Sequence, residues 1–89
     1  MKQIVTVTEV EGEGLDALLG QENVLLFCLN YIYTGKLVGV NDSFVKLENA
    51  SIAYETGAFT TKGYTDAQKL PGDAWYVQRG AIESFGLGK

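Results

Sequence analysis

Hydrophobic residues change their spacing along the chain in a way that divides it into one short helix-like segment and a series of strands. Leu15, Leu18 and Leu19 fall at i, i+3 and i+4, with Gly20 behind them; the spacing predicts a short amphipathic α-helix that takes its stability from packing. Residues 23–29 are apolar on both alternating faces, Val24/Leu26/Cys28 and Leu25/Phe27/Leu29. Such a strand is covered on both sides, by closure into a barrel or by a helix laid across the sheet. A turn begins at Asn30, and residues 33–40 read as a strand with Gly35 and Gly39 inside it, a mark of sharp bending. Asn41 and Asp42 give a strong turn signal. Residues 43–54 then read as one bent strand, with Val45, Leu47 and Ala53 on one side and Phe44, Ile52 and Tyr54 on the other.

Two further strands are predicted at residues 74–78 and 81–85, joined at Arg79 and Gly80 with no room for a crossover. Ahead of the helix, the β-branched run Ile4, Val5, Thr6, Val7 and Thr8 predicts an accessory strand over residues 2–10, stopped by Gly12 and Gly14. Residues 55–73 carry Gly57, Gly63, Pro71 and Gly72 without periodicity and read as a long variable loop or extended hairpin. The pattern as a whole predicts one all-β domain over residues 1–89, an antiparallel and strongly bent five-stranded sheet behind a short N-terminal helix.

Composition adds limits. Apolar residues make up 46% of the 89 positions against 20% charged, with a single Pro, which is globular composition. A core of this size is marginal, so burial between subunits is a natural source of added stability. A net charge of -4 excludes broad non-specific nucleic-acid binding, which is driven by Lys and Arg displacing counterions; any such contact is local. Cys28, the one cysteine, sits in an apolar run where a thiol acts as a small, inert hydrophobe. No apolar run has the length of a signal core or a membrane span, so the chain is expected to be soluble and cytoplasmic. With no His, no nucleophile paired with a base, no phosphate loop and no His/Cys metal spacing, it is read as a non-enzyme without metal or cofactor.

Two segments carry a family resemblance. Gly35-Lys36-Leu37-Val38-Gly39-Val40-Asn41-Asp42-Ser43-Phe44-Val45-Lys46-Leu47 resembles the first sequence motif of Sm-like proteins, in which a G-x-L-x-G strand leads through an acidic turn into an apolar strand. Val77-Gln78-Arg79-Gly80-Ala81-Ile82 is similar to the second, an apolar strand ending in Arg-Gly and resuming with an aliphatic residue. The resemblance covers residues 15–85, apart from the 55–73 loop, and implies a small five-stranded barrel that assembles into a homo-oligomeric ring of five to seven subunits. It departs from the family where a base would be read. Asn41 stands at the usual Asp position, Phe44 at a Met, and Val45 at an Asn whose amide would hydrogen-bond a base edge.

By that resemblance the candidate RNA-binding residues are Asn41, Asp42, Ser43, Phe44, Arg79 and Gly80. The Arg79 guanidinium can stack on a base while its N–H groups hold phosphate, or it can simply pair with a carboxylate such as Asp42 while Gly80 provides a positive φ. Phe44 is a stacking platform or a core residue. Asn41 and Ser43 complete a pocket or make ordinary Asx-turn bonds. Trp75, Tyr76, Val77, Ile82 and Phe85 are candidate subunit-interface residues, because in the family the fourth strand of one subunit pairs with the fifth of the next; Trp75 equally suits its own barrel. The resulting expectation is a ring that binds single-stranded RNA at its pore-facing turns. Its rival is a ring-shaped scaffold that meets protein partners through residues 55–73 or the N-terminal arm and binds no RNA.

Overall fold

The computed structural model describes residues 14–64 and 66–89, and the strand expected over residues 2–10 lies outside them. The fold is all-β and antiparallel. A 3-10 turn at Leu15–Leu18 precedes β1 (Val24–Cys28), β2 (Ile32–Val40), β3 (Phe44–Ala53), β4 (Gln68–Lys69) and β5 (Ala74–Gln78); a second 3-10 turn, Arg79–Ala81, then leads into β6 (Ile82–Leu87). The sheet runs β4-β3-β2-β1-β6, with β5 also paired to β3. β3 therefore carries β2 along one edge and divides the other between β5, from Phe44 to Glu48, and β4, at Ser51 and Ile52. The sheet has six strands rather than five because residues 55–73 return as the short β4, making that segment an extended hairpin on the far end of β3.

The α-helix expected at residues 15–20 is instead a single 3-10 turn. Left-handed Gly14 and Gly20 bound it, at φ 85° and 83°, and its bonds run three residues back, from Ala17 N–H to the Gly14 carbonyl and from Leu19 N–H to the Asp16 carbonyl. With three residues per turn, Leu15 and Leu18 align and Leu19 does not. Leu15 is buried, Leu18 packs against the core, and Leu19 is exposed.

Two bulges bend the β2–β3 pair. Thr34 lies opposite Ser51 and Lys36 opposite Glu48, so Asn49 and Ala50 together face Gly35, and Asn49 takes a left-handed φ of 52°. A short polar side chain tolerates that conformation better than most. Between Leu37 and Gly39 the extra residue is Val38, on β2. The Asn49 bulge also shifts the phase of β3. Val45, Leu47 and Ala50 enter one core cluster with Leu15, Val24, Leu26, Leu37 and Val77, whereas Ala53 joins Leu25 and Ile32 in a second. Unbroken alternation had put Ala53 beside Val45 and Leu47; one inserted residue moves it to the opposite face.

β1 is covered on both sides as its pattern predicts. Val24 and Leu26 lie in the first cluster and Leu25 in the second, where Phe27 and Tyr64 pack over it. Part of the second cover therefore comes from the 55–73 segment through Tyr64. Each fully buried Leu in these clusters contributes about 1.5–3 kcal/mol. Among the described residues no helix is long and apolar enough to cross a membrane.

Gly35 is a point of close approach between β2 and β3. A Cβ there would lie 2.9 Å from the Glu48 carbonyl oxygen and 3.1 Å from the Ala50 Cα, both backbone atoms, whereas one at Gly39 would meet only the Lys46 Cβ at 3.5 Å. Gly35→Ala is expected to cost about 1–3 kcal/mol by forced backbone movement. Gly39→Ala is expected to hold stability or raise it by up to about 1 kcal/mol. Urea unfolding of the two variants measures the contrast.

Candidate functional site

The sharp bend of the sheet brings two turns together that lie far apart in sequence. The first joins β2 to β3 and is organised by Asn41. Its side-chain oxygen accepts hydrogen bonds from the backbone N–H groups of Ser43 (2.7 Å) and Phe44 (2.8 Å), and its own N–H donates to the Phe44 carbonyl (3.0 Å). This is Asx-turn chemistry, and it commits the Asn41 side-chain oxygen to the turn itself. Asp42 and Ser43 are exposed at its tip.

The second turn is Arg79–Ala81. The backbone N–H of Arg79 donates to the Ser43 carbonyl at 2.8 Å, and its Nη1 donates to the Asn41 carbonyl at 2.9 Å. The partner of the guanidinium is thus a backbone carbonyl rather than the Asp42 carboxylate. A guanidinium has five N–H donors, and among the described residues this is its one side-chain hydrogen bond. Gly80 is not left-handed, and a Cβ at this position would meet nothing within 4 Å. Neither turn geometry nor crowding demands glycine there.

Phe44 belongs to the exposed face of β3 and β5 rather than to the core. Its ring lies edge-on to Tyr76, with centroids 5.2 Å apart and planes at 88°, and the Lys46 Nζ sits 5.9 Å from the Tyr76 centroid. The pairings Phe44 with Gln78 and Lys46 with Tyr76 set this ladder. Two aromatics and a cation therefore flank the Arg79 turn. Lys46 was missed from sequence, although its period-2 spacing from Phe44 puts both on one strand face.

On another side of Arg79 a groove of about 320 Å³ is lined by Leu15, Asp16, Arg79, Ile82, Glu83 and Phe85. Asp16 and Glu83 set negative charge against the single guanidinium there. A further cleft of about 330 Å³ runs between the end of β1 and β5, with Cys28, Tyr31, Tyr33, Tyr76 and Gln78 among its walls. Burial pushes the Cys28 thiol above its ordinary pKa, which lowers the thiolate fraction and hence its reactivity. The thiol is half-buried, more open than the apolar run around it implies. Burial, and then the charges of Cys28, Tyr31 and Tyr54, raise Tyr33. Tyr31 itself packs edge-on against Tyr54 at 5.4 Å and so ties the β1–β2 turn to the residue after β3.

The residues picked for a subunit interface separate into two kinds. Val77 is buried in its own core, and Trp75 and Ile82 pack against that core. Tyr76 and Phe85 are exposed, at 55% and 43%. Among the described residues β5 pairs only with β3 and β6 only with β1, so each keeps one unpaired edge. The described residues include no cluster of His, Cys, Asp or Glu able to hold a metal ion.

The chain matches no protein-family model, and no curated protein or solved structure matches it at a significant level.

Asn41→Ala removes the acceptor of two backbone N–H groups and is expected to cost about 1 kcal/mol, softened by water at this exposed turn. Asn41→Asp keeps the acceptor and is expected to stay within about 0.5 kcal/mol of the parent. Thermal melting of both variants tests the assignment.

Proposed function

We propose that this chain is an Sm-like protein that assembles into a ring of five to seven copies and binds single-stranded RNA at the paired turns of Asn41, Asp42, Ser43, Phe44, Arg79 and Gly80, without catalysing a reaction. The observation that carries the reading is the junction of the two turns through Arg79, with donors to spare on its guanidinium and the exposed Phe44 ring alongside. Spare N–H groups suit phosphate or a base edge, and an exposed aromatic suits a base face. Unstacked bases are best met one per subunit by pockets repeated around a pore. No cofactor is involved, and the protein acts in RNA metabolism in the cytoplasm.

The ring part of the proposal rests on the edges of β5 and β6 that are unpaired among the described residues. An exposed edge is a template for another strand, and pairing the β5 of one copy with the β6 of the next would satisfy both edges while burying Tyr76 and Phe85. Aromatic residues at such an edge fit a subunit interface.

A second reading keeps the ring and omits RNA, leaving a scaffold that meets protein partners through residues 55–73. It draws on Asp16 and Glu83 beside Arg79 and on the net charge of -4, both of which oppose a polyanion.

Fluorescence anisotropy with labelled oligo-U, oligo-A and mixed single-stranded RNA separates the two. Saturable binding at physiological salt is expected, with Arg79→Ala weakening it about 10-fold or more, the worth of a lost charged hydrogen bond. The same substitution is expected to cost less than about 1 kcal/mol of stability, because the Asn41 carbonyl it frees is at an exposed turn. Absence of binding to any of the three RNAs would favour the scaffold.

A further inference from the structure

Residues 56–64 carry a second set of polar and aromatic contacts, away from the Arg79 site. Left-handed backbone at Gly57 (φ 68°) and Gly63 (φ 84°) turns this segment back on itself, and the Thr61 N–H closes it onto the Ala58 carbonyl at 3.0 Å. The result is a concavity of about 230 Å³ whose walls include Thr56, Lys62, Gly63, Tyr64 and Lys89 itself. The Lys89 ammonium donates to the Gly63 carbonyl at 2.7 Å and to the Thr56 carbonyl. It also lies 4.9 Å from the centroid of the Tyr64 ring and 5.7 Å from that of Phe59.

Two carbonyl acceptors and two aromatic faces around one cation are a recognition chemistry in their own right. The ring quadrupoles attract any cation, while the carbonyls require N–H donors and so favour a primary ammonium over a quaternary one. The backbone on both sides is held as well. Lys89 N–H donates to the Tyr64 hydroxyl at 2.9 Å, Gly88 N–H donates to the Asn23 carbonyl at 2.6 Å, and a Cβ at Gly88 would collide with the Tyr64 hydroxyl and sit tightly, at 3.0 Å, against the Asn23 carbonyl. Glycine at 88 is what lets the chain pass close enough for Lys89 to reach the cage.

We propose that residues 56–64 form a binding cage for a primary alkylammonium, the head group of a lysine side chain, and that Lys89 fills it in cis. The cation then fixes the shape of the loop, and through Tyr64 the loop packs against the cluster of Leu25, Ile32 and Ala53. A lysine side chain from elsewhere competes with Lys89 for the same two carbonyls and two rings. Neutralising Lys89 by acylation removes both the charge and two of its three N–H donors.

NMR tests this in two arms. In the unmodified protein the ε-methylene protons of Lys89, held near the Tyr64 and Phe59 rings, are expected upfield of their position in a free lysine, and Tyr64→Leu is expected to remove most of that shift. In Lys89→Met the cage is vacated, and n-butylammonium, standing for a lysine head group, is expected to move the Tyr64, Phe59 and Gly63 resonances saturably. The affinity is expected to be at least about tenfold higher than in the unmodified protein, and tetramethylammonium to bind at least about tenfold more weakly. Lys89 ε-methylene protons at their free position would overturn the proposal, as would a folded Lys89→Met protein with no saturable response. If Lys89→Met unfolds, the first arm decides.

Discussion

The close approach of β2 and β3 at Gly35 is the constraint on which the remaining geometry depends. Two residues of β3 face one of β2 at this point, with Asn49 left-handed and the Glu48 carbonyl oxygen where a Cβ on Gly35 would need room. A bulge bends its strand and increases its twist. With a second bulge at Val38, β3 holds β2 on one edge while β5 and β4 share the other in succession. β5 then runs antiparallel to the first half of β3, which delivers Arg79 to the turn at Asn41. The two core clusters follow from the same geometry, since the bulge sends Ala50 to one and Ala53 to the other.

That bent sheet leaves a specific imbalance. β5 and β6 follow one another in sequence and are joined by one 3-10 turn, yet among the described residues each pairs only with an inner strand. The buried core is built from aliphatic residues of modest number, and large apolar side chains remain exposed beside the open edges, Tyr76 on β5 and Phe85 and Leu87 on β6. A chain of this size gains disproportionately from burying surface against a copy of itself. The proposed ring resolves unpaired edges and exposed aromatics by one contact, and it multiplies the Arg79 site around an axis.

Strand positions were legible because they rest on local rules: alternation, glycine placement and turn residues. The meeting of the Arg79 and Asn41 turns, 38 residues apart, was expected only through the family resemblance. β1 was recognisable as covered on both faces because Leu25 and Leu26 are both apolar. What escaped detection depends on one-residue differences. The 3-10 turn at Leu15–Leu18 shares its leucine spacing with an α-helix, and only the left-handed glycines at both ends shorten it. The phase of β3 turned on whether Asn49 was paired or bulged, a question that the spacing of apolar residues does not answer. Phe44 was ambiguous between core and platform for the same reason that Lys46 went unnoticed: the outward face of β3 is defined by β5, a strand more than twenty residues away. β4 has two residues and no periodicity to announce it.

The central claim is that the edges of β5 and β6 left open among the described residues are satisfied by other copies of the same chain, and native mass spectrometry of the purified protein at micromolar concentration tests it most directly. The account predicts a single closed species of five to seven copies. A monomer at that concentration would contradict it.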